Sequence, residues 1–120
     1  MRILVIDSSK LIAERLKEII AKDKQISCIE KAFNYRQAIN LYHELVPHAI
    51  LLDCELPQNE AFRFLAEVKK NDLKTVVIIL ADQSDSYFKE KWLSSGADYF
   101  FDKYHEFDKI VEAIKKGFKA

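Results

Sequence analysis

Glycine is nearly missing from this chain, with two in 120 residues, so neither a Gly-rich dinucleotide loop nor a Walker-type phosphate loop follows the first apolar run. Cysteine is equally scarce. Cys28 and Cys54 have neither metal-ligand spacing nor the density of a disulfide scaffold, and buried, reduced thiols are expected. Excess charge is absent too: nineteen basic residues meet nineteen acidic ones. That removes the electrostatic footprint of a nucleic-acid or anionic-membrane binder and leaves proteins or small molecules as partners. No apolar run approaches the length of a membrane span, and Met1 and Arg2 lead straight into ILVI with no signal-peptide pattern. A cytoplasmic protein of one domain, residues 1–120, is the expectation.

What the chain does contain is alternation. Four short apolar runs, Ile3 to Ile6, Ala49 to Leu52, Val76 to Leu80 and Tyr99 to Phe101, are too continuous for half-exposed strands, as a parallel sheet covered on both faces requires. A weaker fifth strand, peripheral, fits Ile26 to Ala32. Between the runs the period becomes helical. Ile12, Leu16, Ile19 and Ile20 share one face, as do Ala38, Leu41, Tyr42 and Leu45, and as do Phe107, Ile110, Val111, Ile114 and Phe118. Shorter helices are expected near Ala61 to Lys70 and Ser84 to Ser94. Asn34 with Gln37 resembles a capping box, and Gly96 stands where a helix stops. Strand and helix thus alternate five times without linker, repeat or low-complexity tract, which predicts a doubly wound α/β sandwich.

In open parallel sheets ligands bind beyond the carboxyl ends of the strands. The first run ends in Asp7, the third in Asp53, the fourth in Ala81 and Asp82, and the fifth in Asp102 and Lys103. Carboxylates and one lysine are therefore expected at a single edge. Two carboxylates about 4 Å apart repel by about 4 kcal/mol at an effective dielectric near 20, enough to demand a counter-charge. Lys103 and a divalent cation supply one; magnesium suits oxygen ligands and phosphate, and Asp is a competent nucleophile toward phosphorus.

The segments ILVIDSSKLIAERL, AILLDCELP, VVIILAD and GADYFFDK, in this order and spacing, resemble a response-regulator receiver domain of two-component signalling, over nearly the whole chain. The resemblance implies the flavodoxin-like (βα)5 sheet with strand order 2-1-3-4-5. It implies that Asp53 accepts a phosphoryl group from a histidine kinase or phosphotransfer protein, with magnesium held by Asp7, Asp53 and the backbone carbonyl of Glu55. Lys103 then contacts the phosphoryl group, Phe100 takes the aromatic switch position, and a downstream protein is the target. No output domain is expected after the fifth helix, so DNA binding and second-messenger chemistry are not expected either.

Five departures from that pattern bear on mechanism. Ser8 stands where a second acid is usual, and a hydroxyl is a poor magnesium ligand beside a carboxylate. Ala81 replaces the Ser or Thr that reads the phosphoryl oxygen. Tyr104 replaces the proline after the lysine, so a trans or altered loop is expected, a cis bond costing about 3 kcal/mol there. Ala61 replaces a loop glycine and tolerates positive φ poorly. Glu55 and Asp82 occupy positions that tune phosphoryl lifetime in the family. Extended-chain alternation sets Glu55 on the side of Asp53, where its carboxylate could partly replace the acid missing at Ser8.

Blander roles compete with these. Asp7, Ser8 and Ser9 suit a helix cap, and Lys115, Lys116 and Lys119 offset a helix C-terminus. Tyr87, Trp92, Tyr99 and Tyr104 fit either a docking face or ordinary core. A phosphorylation-independent pseudo-receiver, acting as a protein-binding module, is the competing reading. A haloacid-dehalogenase-type hydrolase is disfavoured because Ser9 stands where its second Asp belongs.

Overall fold

The computed structural model describes residues 1–72, 74–82 and 86–117, without the side chains of residues 86, 87 and 117. Eleven elements follow in order: β1 (Arg2–Ile6), α1 (Lys10–Ile20), β2 (Cys28–Ala32), α2 (Tyr35–Leu45), β3 (Ala49–Asp53), a 3-10 turn (Pro57–Asn59), α3 (Glu60–Asn71), β4 (Val76–Ala81), α4 (Ser86–Ser94), β5 (Tyr99–Asp102) and α5 (Phe107–Gly117). The strands are all parallel, in the order β2-β1-β3-β4-β5. This is the doubly wound, flavodoxin-like arrangement expected from the sequence.

Side chains alternate across each strand, and both faces are covered. Leu4, Ile6, Ile50, Leu52, Val77 and Ile79 face one core with α2, α3 and Trp92 of α4. Ile3, Val5, Leu51, Ile78 and Leu80 face the other with α1 and α5. The continuous apolar runs of β1, β3 and β4 have this cause. Edge position changes the pattern. Tyr99 and Phe101 of β5 are only half-buried, so the fourth run is not covered on both faces as its sequence had implied. At the other edge β2 starts at Cys28, later than Ile26, because Ser27 and Cys28 both donate their N–H groups to Met1 O. Cys28 and Cys54 are free but half-buried rather than buried.

Local chemistry sets the helix ends. Ser9 caps α1 through its hydroxyl, which accepts from Ile12 N. Asn34 Oδ1 accepts from Gln37 N at 2.9 Å, while Gln37 Oε1 accepts from Phe33 N at 2.9 Å, a capping box whose return bond falls one residue early. Gly96, at φ +113°, follows the end of α4. The expected start of that helix at Ser84, and the positions of Phe118 and Lys119, lie outside the described residues. Ala61 is buried within α3; the left-handed residues of the preceding loop are Gln58 and Asn59. The glycine missing at Ala61 is therefore not needed for backbone reasons.

Candidate functional site

Parallel register brings the key carboxylates together. Ile6 pairs with Leu52, so Asp7 and Asp53 leave neighbouring strands at the same edge. Each then makes the same tight turn: Asp7 Oδ1 accepts from Ser9 N at 2.9 Å, and Asp53 Oδ1 from Glu55 N at 3.0 Å. The chain bends on leaving both strands, and both carboxylates stay buried.

Lys103 comes from beyond β5, where its N–H donates to Ala81 O at 2.8 Å. Its ammonium donates to Asp7 Oδ2 at 3.0 Å and lies 3.3 Å from Asp53 Oδ1 and 3.6 Å from Asp82 Oδ1. The lysine is 4% exposed, so these contacts act in a low dielectric where pairing counts. Burial pulls its pKa down, but Asp53, Asp7 and Asp82 outweigh that and hold it above the ordinary lysine range.

One ammonium serves three carboxylates, and Asp53 shows the deficit. Burial pushes its pKa up; the Glu55 N–H opposes this, the charge of Asp7 adds to it, and Lys103 does not restore the balance. Asp82 Oδ1 is enclosed with no hydrogen-bond donor among the described residues. A hydrogen bond to Asp82 raises the pKa of Glu55, with burial adding to it. Burial drives the Cys54 thiol up to about 12, so it stays protonated beside Asp53. The excess negative charge and the orphaned oxygen suit a hard dication with oxygen ligands. Asp7 and Asp53 are the buried carboxylates placed to hold one.

The other predicted residues fall as follows. Ser8 is exposed, and Ser9 does the capping. Glu55 lies exposed in the turn after β3, its carboxyl directed to Asp82. Strand alternation no longer applies to it, because the strand has ended at Asp53. Ala81 is the buried last residue of β4, and Phe100 is 3% exposed in the same core as Trp92. Tyr104 is exposed and follows Lys103 through a trans peptide, as its replacement of proline predicted. Trp92 is core, stacked on Phe62 with ring centroids 3.7 Å apart; Tyr99 stacks on Phe101 at 5.7 Å. Tyr87 lies outside the described side chains. Lys115 pairs with Asp23 at 3.3 Å, and with Lys116 occupies the last turn of α5.

Asp102 does not join the acids at the edge. Its Oδ1 accepts from Tyr104 N at 2.8 Å and from His105 N at 3.1 Å, with His105 Nδ1 also at 3.1 Å. The backbone N–H of Tyr104, ahead of the His105 contacts, holds its pKa below the usual carboxylate range. Glu106 answers from the other side, its Oε1 accepting from Asp102 N at 2.9 Å. Strand-end position alone missed this knot. An Asp at the end of a strand, with a Glu four residues on and a helix beginning next, was the signal available.

Comparison with known proteins agrees with the fold. The sequence model of the family described as "Response regulator receiver domain" matches residues 3–115. A chemotaxis protein CheY of Listeria monocytogenes is 24% identical over 119 residues, 99% of each chain. A protein-glutamate methylesterase/protein-glutamine glutaminase of Treponema denticola is 32% identical over 81 residues, 68% of this chain; the match spans only 22% of that protein. Among solved structures, the response regulator domain of Thermotoga maritima CheB has a TM-score of 0.87 at 24% identity, covering 100% of this chain and 97% of that one. That structural likeness speaks to the fold alone.

Proposed function

Because the chain belongs to the response regulator receiver domain family, we propose that it is a cytoplasmic phosphoacceptor of a two-component relay. Asp53 takes the phosphoryl group from a histidine kinase or phosphotransfer protein, and a protein target reads the result. The observation that carries this reading is the buried pair of Asp7 and Asp53 with the Lys103 ammonium set against both, at 3.0 and 3.3 Å.

A carboxylate oxygen of Asp53 attacks phosphorus, the phosphorus–nitrogen bond of the donor phosphohistidine breaks, and the imidazole leaves with that electron pair. The product is an acyl phosphate on Asp53, which water returns to carboxylate and inorganic phosphate. Lys103 neutralises charge on the transferred oxygens, and Asp7 keeps it aimed there. Asp7, Asp53 and the Glu55 carbonyl would hold the magnesium that receiver domains generally bind, and it would supply further charge neutralisation on the phosphoryl oxygens. Glu55 and Asp82 flank the acceptor and tune the lifetime of the acyl phosphate.

Two features favour the phosphorylation-independent reading instead. Ser8 offers no carboxylate, and Ala81 offers no hydroxyl to report phosphoryl arrival to Phe100, which is already buried. Incubation with magnesium and acetyl phosphate separates the two readings. The phosphoacceptor gains one base-labile phosphate by intact mass, absent in Asp53→Ala; a pseudo-receiver gains none and its Trp92 emission does not respond to magnesium.

A further inference from the structure

Lys103 has a long way to reach. Strands lie about 4.8 Å apart, so from β5 the end of β3 is about two spacings away and the end of β1 about three. A lysine side chain meets carboxylates at that range only when it is extended and starts from a fixed point. A shift of about 1 Å at its Cα is enough to lose the geometry that catalysis needs.

The residues on both sides of Lys103 are tied. Ahead of it, Asp102 donates its N–H to Glu106 Oε1 at 2.9 Å, and Asp102 O accepts from Glu106 N at 3.1 Å. Behind it, the N–H groups of Tyr104 and His105 both go to Asp102 Oδ1. Lys109 Nζ in turn holds Glu106 Oε2 at 2.9 Å. The Asp102 side chain is 11% exposed, sheltered enough for these bonds to count. A proline at residue 104 has no N–H to donate, so the Tyr104 N–H bond to Asp102 is one that a proline there could not make.

We propose that Asp102, through its tie to the Tyr104–Glu106 turn, is the positioning residue that fixes Lys103 against Asp53 and Asp7. The proposal rests on the reading of Asp53 as acceptor for its kinetic consequence, but not for its structural one.

Heteronuclear NMR of the lysine ammonium groups at one neutral pH tests the structural part, on the full chain without metal. Lys103→Ala assigns the resonance. A buried ammonium fixed between carboxylates gives a signal apart from the exposed lysines. That signal is retained in Asp102→Asn, whose Oδ1 still accepts, and collapses into the exposed set in Asp102→Ala. Phosphorylation of Asp53 by acetyl phosphate slows roughly tenfold in Asp102→Ala and recovers in Asp102→Asn. Should Asp102→Ala fail to fold, Glu106→Ala, which removes the acceptor of Asp102 N, takes its place with the same expected shift. An unmoved Lys103 signal in these folded variants overturns the proposal, as does an equal shift in Asp102→Asn. Absence of phosphorylation in the wild type overturns the acceptor reading instead, while the resonance still decides whether Asp102 positions Lys103.

Discussion

The acceptor role proposed for Asp53 sets two demands against each other: a nucleophile must be ionised, yet its place beneath the strand ends makes ionisation unfavourable. Burial and the charge of Asp7 raise its pKa despite the Glu55 N–H and Lys103. A carboxyl whose folded pKa lies above its unfolded value contributes fully below the unfolded value, near 3.9, and loses that contribution as pH rises through the folded one. Asp53→Asn keeps the oxygen that accepts from Glu55 N and deletes the charge. In metal-free buffer it should be more stable than wild type toward urea at neutral pH, with the two midpoints converging as pH falls. A midpoint for Asp53→Asn at or below wild type at neutral pH would mean that the pairing with Lys103 outweighs the burial of the charge.

Among the elements, α3, β4 and the approach to β5 are pinned at one place. Lys69 Nζ donates to Thr75 O and to Asp98 Oδ2, each at 2.9 Å, and Asp98 Oδ2 also accepts from Val77 N at 2.8 Å. The chain reaches this pin from α4 through Gly96, whose φ of +113° lies outside the range side chains normally adopt, and an added Cβ would stand 3.2 Å from Lys69 Cγ. Gly96→Ala should therefore cost more than about 1 kcal/mol in urea denaturation. The other side of α4 is anchored by the Phe62–Trp92 stack. Such a pair is worth about 0.5–1.5 kcal/mol beyond its burial. Phe62→Ala should shift Trp92 emission to the red with a loss of that order added to the burial term; unchanged emission would show that the stack does not hold Trp92.

For the whole molecule, the two edges of the sheet have different tasks. The carboxyl edge gathers like charges, with burial and the charge of Asp7 both working against ionisation of Asp53. The opposite edge is stitched by His48: Arg2 N donates to its Nδ1 at 3.0 Å, its own N donates to Arg2 O at 2.8 Å, and Val76 N donates to its O at 3.1 Å. Acceptance at Nδ1 requires that nitrogen unprotonated, and burial, then Arg2 and the N-terminus, lower the His48 pKa. A histidine depressed in the folded state leaves stability intact above its unfolded pKa of about 6.5 and withdraws it as pH falls toward the folded value. Urea midpoints should decline over that interval, and less steeply in His48→Asn. Equal slopes in the two proteins would remove His48 from the account.

Sequence by itself determined the alternation of strands and helices, the charge balance, and the set of acids and the lysine at the strand ends. Each of these is written in local period or composition: β1, β3 and β4 had to be apolar on both faces, and Asn34, Ser9 and Gly96 act within one turn of where they stand. Tertiary structure decided which acids meet. Asp102, equivalent to Asp53 by position, is drawn into the Tyr104–Glu106 turn, where two backbone N–H groups donate to its Oδ1. Glu55 stands beyond the end of β3, where strand alternation no longer sets its side, and Asp82 raises its pKa. The half-burial of Tyr99 and Phe101 follows from β5 being an edge, a property of strand order rather than of the residues themselves. Local pattern records what a residue is suited for; only the register of five strands and the reach of Lys103 set which groups share one charge.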